Sequence, residues 1–78
     1  MNRDEVLDTV ISMFSAYTEA EEITAESEIM GDLEVSSMEV LSIICNIEAE
    51  FDIHVSEKAI RKITTVGDVA EIIVSSME

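Results

Sequence analysis

The chain has 78 residues, of which 18 are acidic and only 4 are Lys or Arg, so its formal net charge is −14. This length holds one domain, predicted over residues 1–78, and excludes most catalytic folds that need a deep cleft. The charge excludes binding to nucleic-acid phosphates and insertion into anionic membranes, and it favours partners with basic surface patches. Because 47% of the residues are hydrophobic, the chain has enough apolar side chains for a folded core.

The first predicted element is an amphipathic helix over residues 3–17, where apolar residues recur at spacings of three and four. These apolar residues are Val6, Leu7, Val10, Ile11, Phe14 and Tyr17. Residues 18–36 follow without a clear period and are predicted to form a long loop. Four apolar residues within the loop should fix it to the core, and Gly31 is expected at a tight turn. These four are Ile23, Ile29, Met30 and Leu33.

Three further helices are predicted in the second half of the chain. One covers residues 37–51, with Ser36 or Ser37 as its N-cap, and Cys45 on its apolar stripe is expected to be buried and unreactive. A short helix over residues 57–62 follows Ser56, and a last helix begins after Thr65. The prediction is therefore an all-α fold, a small four-helix bundle of three main helices and one short helix, with a long loop between the first two helices.

The many carboxylates do not follow the spacing of a known metal site. A calcium-binding loop started at Asp32 would place Ser37 where Gly is required and Ile43 where Glu is required. One histidine, His54, and one cysteine are too few for a mononuclear zinc site. His54 has no arguable nucleophilic partner and is expected in a connector at or near the surface. The sequence therefore predicts no metal ligand and no catalytic residue.

The start of the predicted helix over residues 37–51 is the most informative segment. A serine at this position lies beside unpaired backbone N–H groups and the positive end of the helix dipole, which together favour a phosphate group. The alternative is that Ser36 or Ser37 only caps the helix, since serine is common at helix starts. The residues alone leave both interpretations open.

Three segments resemble the acyl carrier protein family, and the likeness extends over nearly the whole chain. Residues 32–39 read Asp-Leu-Glu-Val-Ser-Ser-Met-Glu, similar to the family motif Asp-Leu-Gly-x-Asp-Ser-Leu-Asp. Residues 48–52, Glu-Ala-Glu-Phe-Asp, resemble the end of the family's second helix, and Ile53-His54-Val55 is similar to its Ile-Pro-Asp connector. Residues 62–66, Lys-Ile-Thr-Thr-Val, match the family's entry to the last helix.

The resemblance implies that Ser37 receives a covalent 4′-phosphopantetheine arm, donated by coenzyme A through a separate phosphopantetheinyl transferase. The arm would carry acyl intermediates as thioesters between enzymes of fatty-acid, polyketide or related biosynthesis, so the chain itself would not be an enzyme. Family partners contact the second helix with basic patches, which implies partner-binding roles for Met38, Glu39, Glu48 and Asp52. A monomer in the cytoplasm is expected.

The sequence departs from the family motif at three positions around this site. Ser36 replaces the usual Asp, which makes Ser36 a second, less favoured candidate for the modified residue. Glu34 replaces the usual Gly, and Ser42 stands where many members carry another Glu on the second helix. These departures keep an alternative function open: a divergent, carrier-like helical interaction module that receives no phosphopantetheine.

Overall fold

The computed structural model of the chain describes residues 2–77. Over these residues it has four helices, α1 (Arg3–Ser15), α2 (Ser37–Phe51), α3 (Glu57–Arg61) and α4 (Val66–Met77). No named strand occurs in the described part of the chain, and Glu28 and Thr65 pair as an isolated antiparallel bridge. The predicted all-α bundle of three main helices and one short helix is confirmed. The first helix ends at Ser15, two residues earlier than predicted, so the long loop covers residues 16–36.

Polar side chains satisfy free backbone N–H groups at the start of each helix, which explains where the helices begin. Asn2 and Ser36 cap α1 and α2, each in a reciprocal capping box with the Glu three residues on. Ser56 caps α3, where the Ala59 N–H donates to its Oγ at 3.1 Å. At α4 the Asp68 N–H donates to Thr65 Oγ1 at 3.2 Å, and the Thr65 N–H donates to Asp68 Oδ2 at 3.0 Å. The caps predicted at Ser56 and Thr65 are therefore present.

A single apolar core joins the four helices and the long loop. Its buried members come from α1, α2, α4, the loop and the connector before α3, while α3 contributes only partly buried residues. Among the buried side chains with less than 2% exposure are Phe14, Ile43, Ile47, Val66 and Ile73. Among the pairs of helices, α1 and α4 pack against each other most extensively, and an ion pair between Arg3 and Glu71 joins them. None of the helices in residues 2–77 combines the length and the apolar character needed to cross a bilayer.

The long loop is fixed to the start of α4 by backbone hydrogen bonds. The Ile29 N–H donates to the Thr64 carbonyl at 2.9 Å, and the N–H groups of Val66 and Gly67 donate to the carbonyls of Ser27 and Ala25 at 3.1 and 2.8 Å. A Cβ at Gly67 would lie 2.9 Å from the Ala25 carbonyl oxygen, so this close approach requires glycine. The loop is consequently part of the folded structure and presents a defined edge beside α2.

The loop also buries apolar side chains, as the sequence predicts. Ile29 and Leu33 are only 3% exposed and Ile23 is partly buried, but Met30 is 59% exposed. Gly31 lies in a turn without a positive φ; the left-handed conformation instead falls on Glu34, with φ 55°. Gly67 is thus the position where only glycine fits, and the left-handed backbone conformation in the loop belongs to Glu34.

The buried face of α2 differs from the expected apolar stripe. It consists of Val40, Ile43, Ile44 and Ile47. Met38 and Leu41 are 77% and 50% exposed. The prediction that Cys45 is buried is wrong, because its thiol lies on the exposed side of α2. Apolar residues occupy more than one face of this helix, so periodicity alone did not identify the face that packs against the core.

Candidate attachment site at the start of the second helix

Two adjacent serines at the start of α2 have different structural roles. Ser36 has extended backbone angles and is the N-cap, and the Glu39 N–H donates to its Oγ at 3.2 Å. The Ser36 N–H donates in return to Glu39 Oε1 at 2.9 Å. The N–H group and the hydroxyl of Ser36 are therefore both engaged in the capping box.

Ser37 is the first residue of α2, and its side chain is not used for capping. The residue is exposed, and its hydroxyl takes part in none of the hydrogen bonds found among residues 2–77. The N–H groups of Ser37 and Met38 likewise find no acceptor within that range, as expected for the first turn of a helix. The hydroxyl, the free N–H groups and the positive helix end favour a phosphate group bound to Ser37.

A groove opens beside Ser37, between the loop, α2 and the segment around α3. We call it the α2–α3 groove; its volume is about 440 Å³. Its apolar lining consists of Ile29, Met30, Val40, Leu41, Ile60 and Ile63. Ser37, Glu28, Arg61 and Thr64 also line it. A chain attached to the Ser37 hydroxyl therefore has an apolar surface directly available to it.

The backbone just before Ser36 is held in a sparsely populated conformation. Glu34 has φ 55°, in the left-handed region that glycine adopts without a steric cost. Glu34 stands at the position where the family motif has Gly, the residue that adopts this conformation most easily. The neighbouring loop is fixed by burial of Leu33 and Val35, 3% and 1% exposed, and this packing maintains the strained residue between them.

The other predicted contact residues fall at the two ends of α2. Met38 and Glu39 lie beside Ser37. Glu48 and Asp52 lie about 16 Å or more from Ser37, measured along the helix axis. Glu48 Oε2 accepts the Val55 N–H at 2.8 Å and lies 3.3 Å from His54 Nδ1, so this carboxylate also holds the connector before α3. His54 is exposed, as expected.

Sequence reasoning did not identify the groove or the residue Arg61 on its wall. Arg61 lies on α3, and its Nη2 is 3.5 Å from Glu57 Oε2. Met30 and Leu41 are exposed apolar residues of the groove, but the sequence carries no local signal for it because only the packing of three separate segments brings them together. No group of three or more His, Cys, Asp or Glu in residues 2–77 has an arrangement suited to a metal ion.

Comparison with known proteins shows the family of this chain. Residues 6–73 match the family model described as "Phosphopantetheine attachment site". The chain is 30% identical to the acyl carrier protein of Thermotoga maritima, over 92% of this chain and 91% of that protein. It belongs to the acyl carrier protein family.

Further acyl carrier proteins show the same likeness. That of Prochlorococcus marinus is 31% identical over 94% of both chains. Acyl carrier protein 3, mitochondrial, from Arabidopsis thaliana is 32% identical over 94% of this chain, which spans only 57% of that longer protein. The solved structure of the acyl carrier protein from Enterococcus faecalis has a TM-score of 0.83 and 33% identity, with 97% of this chain and 99% of that one covered.

Membership of the acyl carrier protein family establishes the class of function. The protein carries acyl groups on 4′-phosphopantetheine and interacts with acyl-handling enzymes; it is not itself an enzyme. The alternative of an interaction module without the arm is not favoured by these findings. The exposed Ser37 hydroxyl, the free N–H groups and the adjacent apolar groove are compatible with such an arm.

Proposed function

We propose that Ser37 is the residue to which the 4′-phosphopantetheine arm is attached. The observation that carries this proposal is the division of roles between the two serines. The Ser36 hydroxyl caps α2, so attachment of a group to it would remove the Glu39 hydrogen bond. The Ser37 hydroxyl is exposed and makes no hydrogen bond within residues 2–77, so it reacts without loss of a cap.

This chain takes part in the attachment reaction through a single nucleophilic attack. Ser37 Oγ forms a bond to the phosphorus of the coenzyme A diphosphate that bears the pantetheine, and the bond from that phosphorus to the bridging oxygen breaks. Adenosine 3′,5′-bisphosphate leaves, and a base of the transferase accepts the hydroxyl proton. Among residues 2–77 the only histidine, His54, lies in the connector before α3, so activation of Ser37 is assigned to the transferase. The bound arm supplies a thiol that holds the acyl group as a thioester.

The start of α2 stabilises the product of this attack. The phosphodiester lies at the positive end of a 15-residue helix, next to the unpaired N–H groups of Ser37 and Met38. The α2–α3 groove then offers an apolar surface to the acyl group. We propose this groove as the place where the cargo is sheltered from water.

We further propose that acyl-handling enzymes and the phosphopantetheinyl transferase contact α2 through basic patches. Met38 is 77% exposed beside the attachment serine and offers an apolar contact. Glu39, Glu48 and Asp52 supply the acidic contacts, and α2 contains no basic residue to oppose them. We take the working form to be a monomeric single domain in the cytoplasm, where a reducing environment keeps the exposed Cys45 as a thiol.

The test is an intact-mass spectrum after incubation with coenzyme A, Mg²⁺ and a broad-specificity phosphopantetheinyl transferase. We expect a gain of one phosphopantetheine, mapped to Ser37 by fragmentation, in the wild type and in Ser36→Ala. Ser37→Ala is expected to gain nothing. A gain that persists in Ser37→Ala but disappears in Ser36→Ala would move the site to the neighbouring serine. No gain in any variant, while a second acyl carrier protein is modified alongside, would overturn the proposal.

A further inference from the structure

The basic residues of this chain are concentrated on α3 and its C-cap. Three of its four Lys and Arg residues are Lys58, Arg61 and Lys62, and α2 carries none. Arg61 differs from its two neighbours because it lines the α2–α3 groove together with Ser37. Among the groove-lining residues in the described part of the chain, it is the only one with a positive charge.

We infer that Arg61 holds an oxyanion at the rim of the α2–α3 groove, supplied either by the phosphodiester on Ser37 or by a carboxylate on the acyl cargo. This inference rests on the proposed attachment to Ser37. A guanidinium group presents several N–H donors in a planar fork that suits both phosphate and carboxylate oxygens. Arg61 on α3 and Ser37 on α2 line the same groove, which gives these donors access to an anion bound there.

Arg61 is available for such an anion because its present partner holds it weakly. Its Nη2 lies 3.5 Å from Glu57 Oε2, and the two side chains are 75% and 83% exposed. An exposed ion pair between residues four apart on a helix is screened by water and salt, so it exchanges readily for another oxyanion. Glu28, on the same groove, is the carboxylate that opposes the binding of an anion there.

The charge of the whole chain makes this arginine more important for an anion than it would be elsewhere. A phosphodiester or carboxylate on Ser37 adds negative charge to a protein of net charge −14. Glu34 and Glu39 are close to Ser37 in sequence, and their carboxylates repel an anion bound near this serine. The free N–H groups at the start of α2 attract the anion from one side, and Arg61 is the basic side chain positioned to attract it from the groove.

Three loaded forms of the protein distinguish the two sources of the anion. The transferase attaches arms from coenzyme A, butyryl-coenzyme A and succinyl-coenzyme A, and intact mass verifies each product. Butyryl and succinyl groups have the same number of carbon atoms, but only succinyl has a free carboxylate. The readouts are the ³¹P resonance of the phosphodiester, the Nε–H resonance of Arg61 and the melting temperature.

The variants are Arg61→Gln, its control Lys62→Gln and the opposite change Glu57→Gln. Lys62→Gln removes the same charge from an exposed neighbour that does not line the groove. If the phosphodiester is the anion, the Arg61 Nε–H resonance shifts on addition of the unacylated arm. In that case Arg61→Gln moves the ³¹P resonance more than Lys62→Gln does. If the cargo carboxylate is the anion, succinyl but not butyryl shifts Arg61 and raises the melting temperature, and Arg61→Gln removes the difference.

Glu57→Gln should strengthen whichever effect is observed, because it removes the competing carboxylate. If Arg61→Gln and Lys62→Gln change the resonances and the melting temperature equally, the changes come from the overall charge of the protein and not from a contact of Arg61. That result would overturn the inference. An Arg61 resonance that is the same in the unmodified, unacylated, butyryl and succinyl forms would also overturn it. A protein whose mass never increases contradicts the proposed attachment instead, so the two failures are distinguishable.

Discussion

Adjacent serines at the start of α2 separate two tasks that a single residue type could perform. Ser36 exchanges hydrogen bonds with Glu39 and fixes the beginning of the helix, at 3.2 and 2.9 Å. Ser37 follows it with an exposed hydroxyl. The replacement of the family's Asp by Ser36 therefore preserves the cap, because a hydroxyl oxygen accepts the same backbone N–H as a carboxylate does.

This division predicts different stabilities for two alanine variants. Ser36→Ala should lower the free energy of unfolding by about 1 kcal/mol, since it removes the N-cap. Ser37→Ala should leave it nearly unchanged, because alanine is a good helix former and no hydrogen bond of the side chain is lost. Urea unfolding followed by circular dichroism measures both variants of the unmodified protein. A larger loss of stability in Ser37→Ala than in Ser36→Ala would show that Ser37, and not Ser36, caps the helix.

Glu34 provides a second prediction at the scale of a single residue. Its φ of 55° is sterically unfavourable for a residue with a Cβ, so Glu34→Gly should raise the free energy of unfolding by about 0.5 kcal/mol. Glu34→Ala is the matched control, because it removes the same charge but keeps the Cβ. The measurement is thermal or urea unfolding of both variants. Equal stability of the glycine and alanine variants would attribute any gain to charge and not to backbone strain.

At the scale of elements, Asp68 fixes the start of α4 and makes the fold sensitive to acid. Hydrogen bonds from the backbone N–H groups of Thr65 and Thr64 stabilise its carboxylate and hold the pKa of Asp68 below its ordinary value of 3.8. A carboxyl group with a lowered pKa in the folded state adds stability above its unfolded pKa. That contribution is lost as the pH falls through the folded pKa.

We therefore expect Asp68→Asn to lower the free energy of unfolding near neutral pH by about 0.5–1 kcal/mol, a small effect because the residue is only partly buried and solvent screens its charge. The difference from wild type should shrink below a pH of about 4 and disappear once wild-type Asp68 is protonated. Urea unfolding of both proteins from pH 7 down to about 2 measures this difference. A difference that is independent of pH would indicate that the carboxylate charge does not support the cap.

The other elements show how local and distant interactions divide the work of folding. Helix α3 has five residues, buries none of them fully, and is too short to be stable alone. It is held in place by the Ser56 cap and by the Glu48 carboxylate, which accepts the Val55 N–H of the preceding connector at 2.8 Å. One wall of the α2–α3 groove thus depends on contacts made by α2.

For the whole molecule, repulsion among carboxylates is the dominant electrostatic effect. Among the acidic residues of the described range 2–77, only Glu71 and Glu57 lie within ion-pair distance of an arginine or lysine, and Glu48 lies beside His54. Salt weakens those pairs, but it weakens the repulsion among the remaining carboxylates more. Added NaCl should therefore raise the melting temperature of the unmodified protein by several degrees, on the order of 1 kcal/mol of stability.

Calorimetry between low and moderate NaCl concentrations measures this effect. The double variant Glu21→Gln, Glu22→Gln is the control, because both residues are exposed loop positions whose charges can be removed without loss of packing. It should melt at a higher temperature than wild type in low salt and gain less from NaCl. A melting temperature that falls with salt would mean that the ion pairs, and not the repulsion, dominate.

The sequence by itself determined the number and order of the helices, the caps of α3 and α4, and the family. Spacing of apolar residues and capping side chains act over a few residues, so α2 was predicted with its observed bounds and Thr65 with its observed role. The family likeness rests on short segments in fixed order, and it indicated Ser37 as the residue for the arm.

The tertiary structure alone decided which faces and surfaces are used. Apolar residues surround much of α2, and only packing against the other elements selected Val40, Ile43, Ile44 and Ile47 for burial and left Cys45 exposed. The α2–α3 groove needs Ile29, Leu41 and Arg61 side by side, although they lie far apart in sequence. Residues brought together by long-range packing carry no local signal, and for that reason the groove and its arginine became visible only in the folded molecule.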